Sequence, residues 1–356
     1  MDVYILDDTL ATIGVIDEYQ SFIWTERYYE AGDCEIYVPA TMENLQLLQQ
    51  GNFITKGRGG ALCRIDKVEV KSNPNNGIWL LVKGTDSIAI LNQRVDIAQT
   101  SVAENASQRI SELFLVNIIY PSQNNRAISI FNPYTDIEEI GYSYRNPPNF
   151  DYVFDCILDI CRQYECGNGC RWDVFNNARK IQLYTYFGTD RSLSQSVNDP
   201  LVFADYMENI ADTDYIEDYT SFKNAAYISG EGQGTQRTLV QINNGSGLDR
   251  FELYVDAGSQ SKNVTGGTLT TSQYEAMLQS FGNDALAKAG VVTTFSGTIE
   301  SRLYEYGTDY HLGDIVTLQN PLGVSVDVRI TQVIESDDTQ NGHVFVPSYE
   351  FIRFTT

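Results

Sequence analysis

Histidine is almost absent from this chain of 356 residues: His311 and His343 are the only two. A Ser-His-Asp or Cys-His machine would have to run through one of them, and neither has a catalytic motif around it. His311 lies in a turn leading into a strand and His343 in a polar loop beside Asn341-Gly342, so both read as loop histidines. Basic residues are also scarce, 24 Lys and Arg against 47 Asp and Glu, giving a formal net charge of −23. Gripping phosphate needs clustered Lys and Arg, so nucleic-acid binding has no electrostatic basis here. Long apolar runs are missing as well. No window approaches the ~20 residues of a membrane helix, and residues 1–20 lack a basic n-region with an apolar core. No membrane insertion by this chain is expected.

Cysteine pairs of C-x2-C spacing are missing too. Cys156, Cys161, Cys166 and Cys170 cluster without the C-x2-C spacing of zinc or iron–sulfur sites, and are weak metal candidates. Cys156 and Cys161 fall on the apolar arc of a helical pattern, where a free thiol acts as a small hydrophobe. In a reducing cytoplasm the six cysteines should be mostly thiols. The loop Gly230 to Gly234 lacks the Lys-Ser/Thr of a phosphate loop and joins two strand patterns. Asp337 to Gly342 lacks the closing Glu of a calcium loop. Carboxylates are plentiful, yet nothing frames a hydrolase pair. No catalytic residue and no cofactor is expected.

What is present is strand chemistry. Tyr occurs 23 times and Phe 16 times, and hydrophobic residues make up 42%. Short β patterns fill the N-terminal third, among them Phe22-Ile23-Trp24 and the alternating Cys34-Glu35-Ile36-Tyr37-Val38-Pro39. Asn75-Asn76-Gly77 signals a hairpin between strands at 62–70 and 78–84. Residues 102–114 and 149–164 carry helical periodicity, and residues 171–187 read as a hairpin turning at Asn176-Asn177. A third helix spans 271–289, capped by Thr271 or Ser272 and closed by Gly290.

The segment Tyr304 to Val316, YEYGTDYHLGDIV, carries two turn signals and runs straight into the strand pattern Ile315 to Leu318. Gly307, Gly313 and Asp314 are the expected turn-setting residues, and the segment reads as the entry to a β wall.

Several blocks together resemble one family. They are Phe22-Ile23-Trp24 with Arg27-Tyr28-Tyr29, Gly32 to Pro39, Val82 to Asp86 with Leu91 to Arg94, and Gly188-Thr189-Asp190-Arg191-Ser192. Val202-Phe203, Glu208-Asn209-Ile210, Asn224, Gly230, Gly232, Asp249 to Glu252, Val255-Asp256 and the 304–316 segment follow in order. In this order they look like the tail-hub (baseplate-hub) proteins of long-tailed bacteriophages, in the small form related to the N-terminal part of tail-associated lysins.

The resemblance implies a mainly β fold with an α+β insertion: two β-barrel hub domains and a peripheral α/β domain. Residues 1–95 and 198–245 would form the first barrel and 96–197 the insertion. Residues 246–356 would form the second barrel, with 271–289 as a helical insert. It implies a homotrimeric ring joining the distal tail or tail tube protein to tail fibre or tip proteins. Tape measure protein and then DNA would pass through the lumen. The virion is the implied location, after assembly in the host cytoplasm. The chain ends at Thr356, so a C-terminal lysin or receptor-binding extension is not expected. Arg27, Arg94, Arg191 and Arg250 lie in or next to the family-like blocks and are the expected structural anchors. A glycan-binding tip module using Trp24, Trp79 or Trp172 is the alternative, and a cell-wall hydrolase stands behind it.

Overall fold

The computed structural model describes all residues except 58–59, 74–76, 98–104, 141–149, 174–178, 265–266, 300–302, 340–341 and 353–356. The described chain is mainly β and divides into two compact units, residues 1–211 with 298–356 and residues 212–297.

The first unit begins with seven strands: β1 (Val3–Leu6), β2 (Thr12–Ile16), β3 (Ser21–Arg27), β4 (Asp33–Pro39), β5 (Phe53–Thr55), β6 (Cys63–Asn73) and β7 (Gly77–Asp86). A short helix, α1 (Met42–Leu47), follows β4. Strand β4 shows why this region is sheet. Its alternate residues Cys34, Ile36 and Val38 are buried, so one face packs while the other carries Glu35 and Tyr37. Strands β6 and β7 form the expected hairpin; Asn75 and Asn76 of its turn lie outside the described residues.

Helices α2 (Ala106–Phe114) and α3 (Val153–Gln163) come next, then the antiparallel pair β8 (Gly167–Asp173) and β9 (Lys180–Tyr186). Both helices are shorter than their sequence patterns. The first-turn residues 102–104 and 149 lie outside the described residues, as do Asn176 and Asn177. Asn105 caps α2 by accepting the Gln108 N–H. Helix α3 has no cap of its own. Asn92 supplies one from a distance: its Oδ1 accepts the Phe154 N–H at 2.8 Å, and its Nδ2 donates to Asp155 at 2.8 Å. Buried Val153, Phe154, Ile157, Ile160 and Cys161 give α3 one apolar face. That face shares a core with Leu6, Phe53, Leu62, Ile88 and Leu91, so residues 96–197 pack into the same hydrophobic cluster as the N-terminal strands.

After β10 (Val202–Ala204) the chain enters the second unit with β11 (Ile210–Asp218), β12 (Ala225–Ser229), β13 (Leu239–Ile242) and β14 (Glu252–Asp256). A two-residue ladder, β15 (Asn263–Val264) and β16 (Gly267–Thr268), precedes helix α4 (Thr271–Lys288) and strand β17 (Val292–Ile299). Strand β12 pairs antiparallel with β13 and parallel with β14, so this sheet spans the boundary expected near residue 245. Tyr274 and Leu278 of α4 pack on Ala226 and Ile228. The cap of α4 is Thr270, one residue earlier than the sequence suggested, because Gln273 completes a reciprocal capping box with it.

The chain then returns to the first unit with β18 (Ile315–Gln319), β19 (Ser325–Asp338) and β20 (Gly342–Phe351). These join the N-terminal strands in one eleven-stranded sheet of order β10-β18-β19-β3-β4-β7-β6-β5-β1-β2, with β20 also on β19. Strand β19 is long enough to pair with β18 through its first part and with β3 through Gln332 to Asp338. The C-terminal strands expected to wall a separate barrel therefore share a sheet with residues 3–86. This strand order is open among the described residues. No helix among them is long and apolar enough to cross a membrane.

Candidate functional site

The strand entry at Gly313-Asp314 is where three distant stretches of chain meet. Gly313 has φ of +94°, and a Cβ there would overlap the ring of Tyr28. Gly188 comes so close that a Cβ on it would overlap the Gly313 carbonyl. Tyr28 fills the space the glycines leave and is fully buried. Its hydroxyl donates to the Glu165 carbonyl at 3.0 Å and accepts the Gly188 N–H at 3.3 Å. Burial pushes the Tyr28 phenol up to about 12, against the opposing pull of Arg329. Arg329 lies with its guanidinium carbon 5.3 Å from the centre of the Tyr28 ring. It donates to the Gly313 carbonyl at 3.0 Å and to the Glu165 carboxylate at 2.7 Å.

Asp314 is only 2% exposed and fully engaged. It accepts the Thr189 N–H at 2.7 Å, the His311 N–H at 3.0 Å and Arg191 Nε at 3.3 Å. A buried carboxylate without such donors would carry a large desolvation cost. The block Arg27-Tyr28-Tyr29, the block Gly188 to Ser192 and the 304–316 segment thus form one hydrogen-bonded node. Gly307, by contrast, has φ of +84° with open space where a Cβ would go.

The other expected anchors sit apart. Arg27 pairs with Asp33 at 2.6 Å and donates to the Ala31 carbonyl at 2.7 Å and to Gln332 at 3.1 Å. Arg94 donates to the carbonyls of Arg126 at 2.6 Å and Gln93 at 2.9 Å. In the second unit, Arg250 pairs with Glu252 at 2.6 Å and reaches the Tyr227 hydroxyl at 3.2 Å. Sequence reasoning missed Glu165 and Arg329. Glu165 has φ of +54°.

This node can hold three chain segments in register; it presents no nucleophile beside a base. The family model described as siphovirus ReqiPepy6 Gp37-like protein matches residues 2–345. The chain belongs to this family.

Solved structures similar to this Gp37-like chain include tail proteins. One is the tail protein from Neisseria meningitidis MC58, at 12% identity and a TM-score of 0.57, covering 98% of this chain and 96% of that one. A second is the 43 kDa tail protein of prophage MuSo2 from Shewanella oneidensis, at 10% identity and a TM-score of 0.59, covering 99% and 98%. A third is prophage tail protein gp18 from Listeria monocytogenes, at 11% identity and a TM-score of 0.54, covering 98% and 94%. The Gp37-like chain therefore has the fold of prophage tail proteins. No curated protein sequence matches it.

All six cysteines are free. Cys161, Cys166 and Cys170 are buried and Cys156 is half-buried against the same core. Burial pushes the Cys156 thiol up to about 11. Among the described residues no group of His, Cys, Asp and Glu is arranged to hold a metal ion. Trp24 is 1% exposed and Trp172 8%, so neither offers a face to a sugar. Trp79 is half-buried and stacks on Tyr37 with ring centres 5.0 Å apart.

Proposed function

We propose that this chain is a non-enzymatic subunit of a phage tail hub, acting in the virion after assembly in the host cytoplasm. Three copies form a ring that joins the distal tail or tail tube protein to tail fibre or tip proteins. Tape measure protein occupies the lumen, and DNA crosses it during ejection. The observation that carries this reading is the likeness to prophage tail proteins over nearly the full length of both chains, within a siphovirus family.

Two physical features support it. A closed three-fold ring needs two different adhesive faces on each subunit. Among the described residues, the large sheet has differently built end strands. Strand β2 is at one end and exposes Ile13 and Val15; strand β20 pairs, among the described residues, only with β19 and exposes Val344 and Val346. Unpaired edges with apolar side chains are suited to β-pairing with another chain. A net charge of −23 is what a lumen wall would need to repel DNA and lower its residence.

The two-barrel arrangement belongs to the same proposal, with the open sheet closing against neighbouring strands in the ring. Gly313, Asp314 and Arg191 would then keep the strand entry rigid, while Gly307 sets a turn and Arg27, Arg94 and Arg250 pin local loops. Electron microscopy of the assembled tail tip tests the reading, with three-fold density for this chain expected. The glycan-binding alternative keeps one support, the groove of about 710 Å³ lined by Trp79, Tyr37, Tyr19 and Asp17. Specific retention of purified chain on host cell-wall glycan, lost in Trp79→Ala, would favour it instead.

A further inference from the structure

A second cavity of about 440 Å³ opens in the first unit beside the Gly313-Asp314 node, and its chemistry is uneven. Glu26 and Asp86 both line it, yet only one is neutralised. Glu26 accepts Lys56 Nζ at 3.0 Å on one oxygen and the Tyr306 hydroxyl at 2.7 Å on the other. Asp86 accepts a single backbone N–H, that of Ile88 at 2.9 Å, and has no ion pair among the described residues. A carboxylate with few donors, no cation and an anionic neighbour is poorly compensated. Burial pushes its carboxyl up to about 7, with Glu26 adding to the rise and the Ile88 N–H opposing it.

An independent feature points the same way. Asn168 also lines the cavity and is only 4% exposed. Its Nδ2 donates to the Tyr29 carbonyl at 2.8 Å, and its Oδ1 is buried without a partner. Such an orphan acceptor asks for a donor. Aromatic rings complete the wall, and Tyr184 already has the Arg171 guanidinium 5.2 Å from its centre. At the mouth, Phe187 is 48% exposed and gives an apolar rim. Arg27, the basic group on the wall, is engaged by Asp33, Ala31 and Gln332.

We propose that this cavity is a socket for an arginine or lysine side chain on a partner protein. The cation would neutralise Asp86, donate to the free Asn168 acceptor and rest against the tyrosine faces, while the partner's backbone lies over Phe187. The unpaired carboxylate, the orphan acceptor and the exposed aromatic rim argue for a cationic donor carried on a polypeptide. This inference concerns the first unit alone and does not depend on the ring.

The test uses the full chain and two short capped peptides, identical except for one arginine or its neutral isostere citrulline. The arginine peptide is expected to bind about tenfold more tightly or better, the effect of one charge-assisted hydrogen-bonded contact. Asp86→Asn keeps the capping oxygen and is expected to erase the difference. Phe187→Arg sits at the exposed mouth, leaves the fold intact and is expected to block the arginine peptide by filling the socket. Equal affinity for the two peptides, or no arginine-dependent binding at millimolar concentration, would overturn the proposal. So would discrimination that survives Asp86→Asn or, if that variant does not fold, Phe187→Arg.

Discussion

Gly307 and Gly313 share a left-handed backbone and differ in what surrounds them, which makes them a matched pair. Gly307→Ala should cost about 1 kcal/mol, the strain of a Cβ at positive φ. Gly313→Ala adds a clash with the buried Tyr28 ring and should cost about 2 to 4 kcal/mol. Equilibrium denaturation of the two variants checks this, and equal losses would contradict the packing of the node. Asp314→Ala should cost about 3 kcal/mol, because the Thr189 and His311 N–H groups and Arg191 lose their acceptor. Asp314→Asn keeps one acceptor and should lose less; the same denaturation series would show it. Asp86 makes a prediction of opposite sense in pH. Its folded pKa of about 7 lies above the ordinary 3.8, so the folded state holds the proton more tightly. Its contribution to stability is complete below about pH 4 and is lost as pH rises towards 7. Glu26, Arg27, Glu30, Tyr306, His311 and Asp314 also line the cavity, and Lys56 reaches it through Glu26. The melting temperature of wild type minus that of Asp86→Asn should therefore fall between about pH 4 and pH 7 and then level off. A flat difference would show that Asp86 is solvated.

Strands were legible as elements because a half-buried strand writes its alternation into the sequence, as Cys34, Ile36 and Val38 do in β4. Their partners were not. Strand β3 pairs with β19, placing Arg27 opposite Gln332, and no local pattern encodes a pairing across 305 residues. The same holds for the parallel pair β10 and β18. Helix α3 was legible from its apolar stripe, whereas its cap, Asn92, lies more than sixty residues before it. At the candidate node, the sequence pointed to Gly313 and Asp314 through turn chemistry, and Gly188 only as part of a block. It hid Arg329 and Glu165, whose roles exist only once the sheet has brought them to Tyr28. Edge strands carry the prediction at this scale. Val15→Lys on β2 replaces a side chain that is 46% exposed, so the isolated subunit should change in stability by less than about 0.5 kcal/mol. Self-association should nevertheless fall, as charge on a free edge blocks edge pairing. Analytical ultracentrifugation of both proteins would show an unchanged oligomer distribution if β2 is not an interface.

At the scale of the whole molecule, composition, fold and family converge. The chain is acidic, aromatic-rich and mainly β. It belongs to a siphovirus family and has the fold of prophage tail proteins. The node at Gly313 and Asp314 ties chain segments together and holds no reacting pair. Those properties suit a structural part of a phage tail. The central claim is the three-fold hub, and electron microscopy of intact tail tips, reconstructed without imposed symmetry, tests it most directly. The account predicts three copies of this chain around a central channel, with β2 of one copy facing a neighbour. A single copy at the tip, or copies bound separately on the outside of the tail, would contradict it.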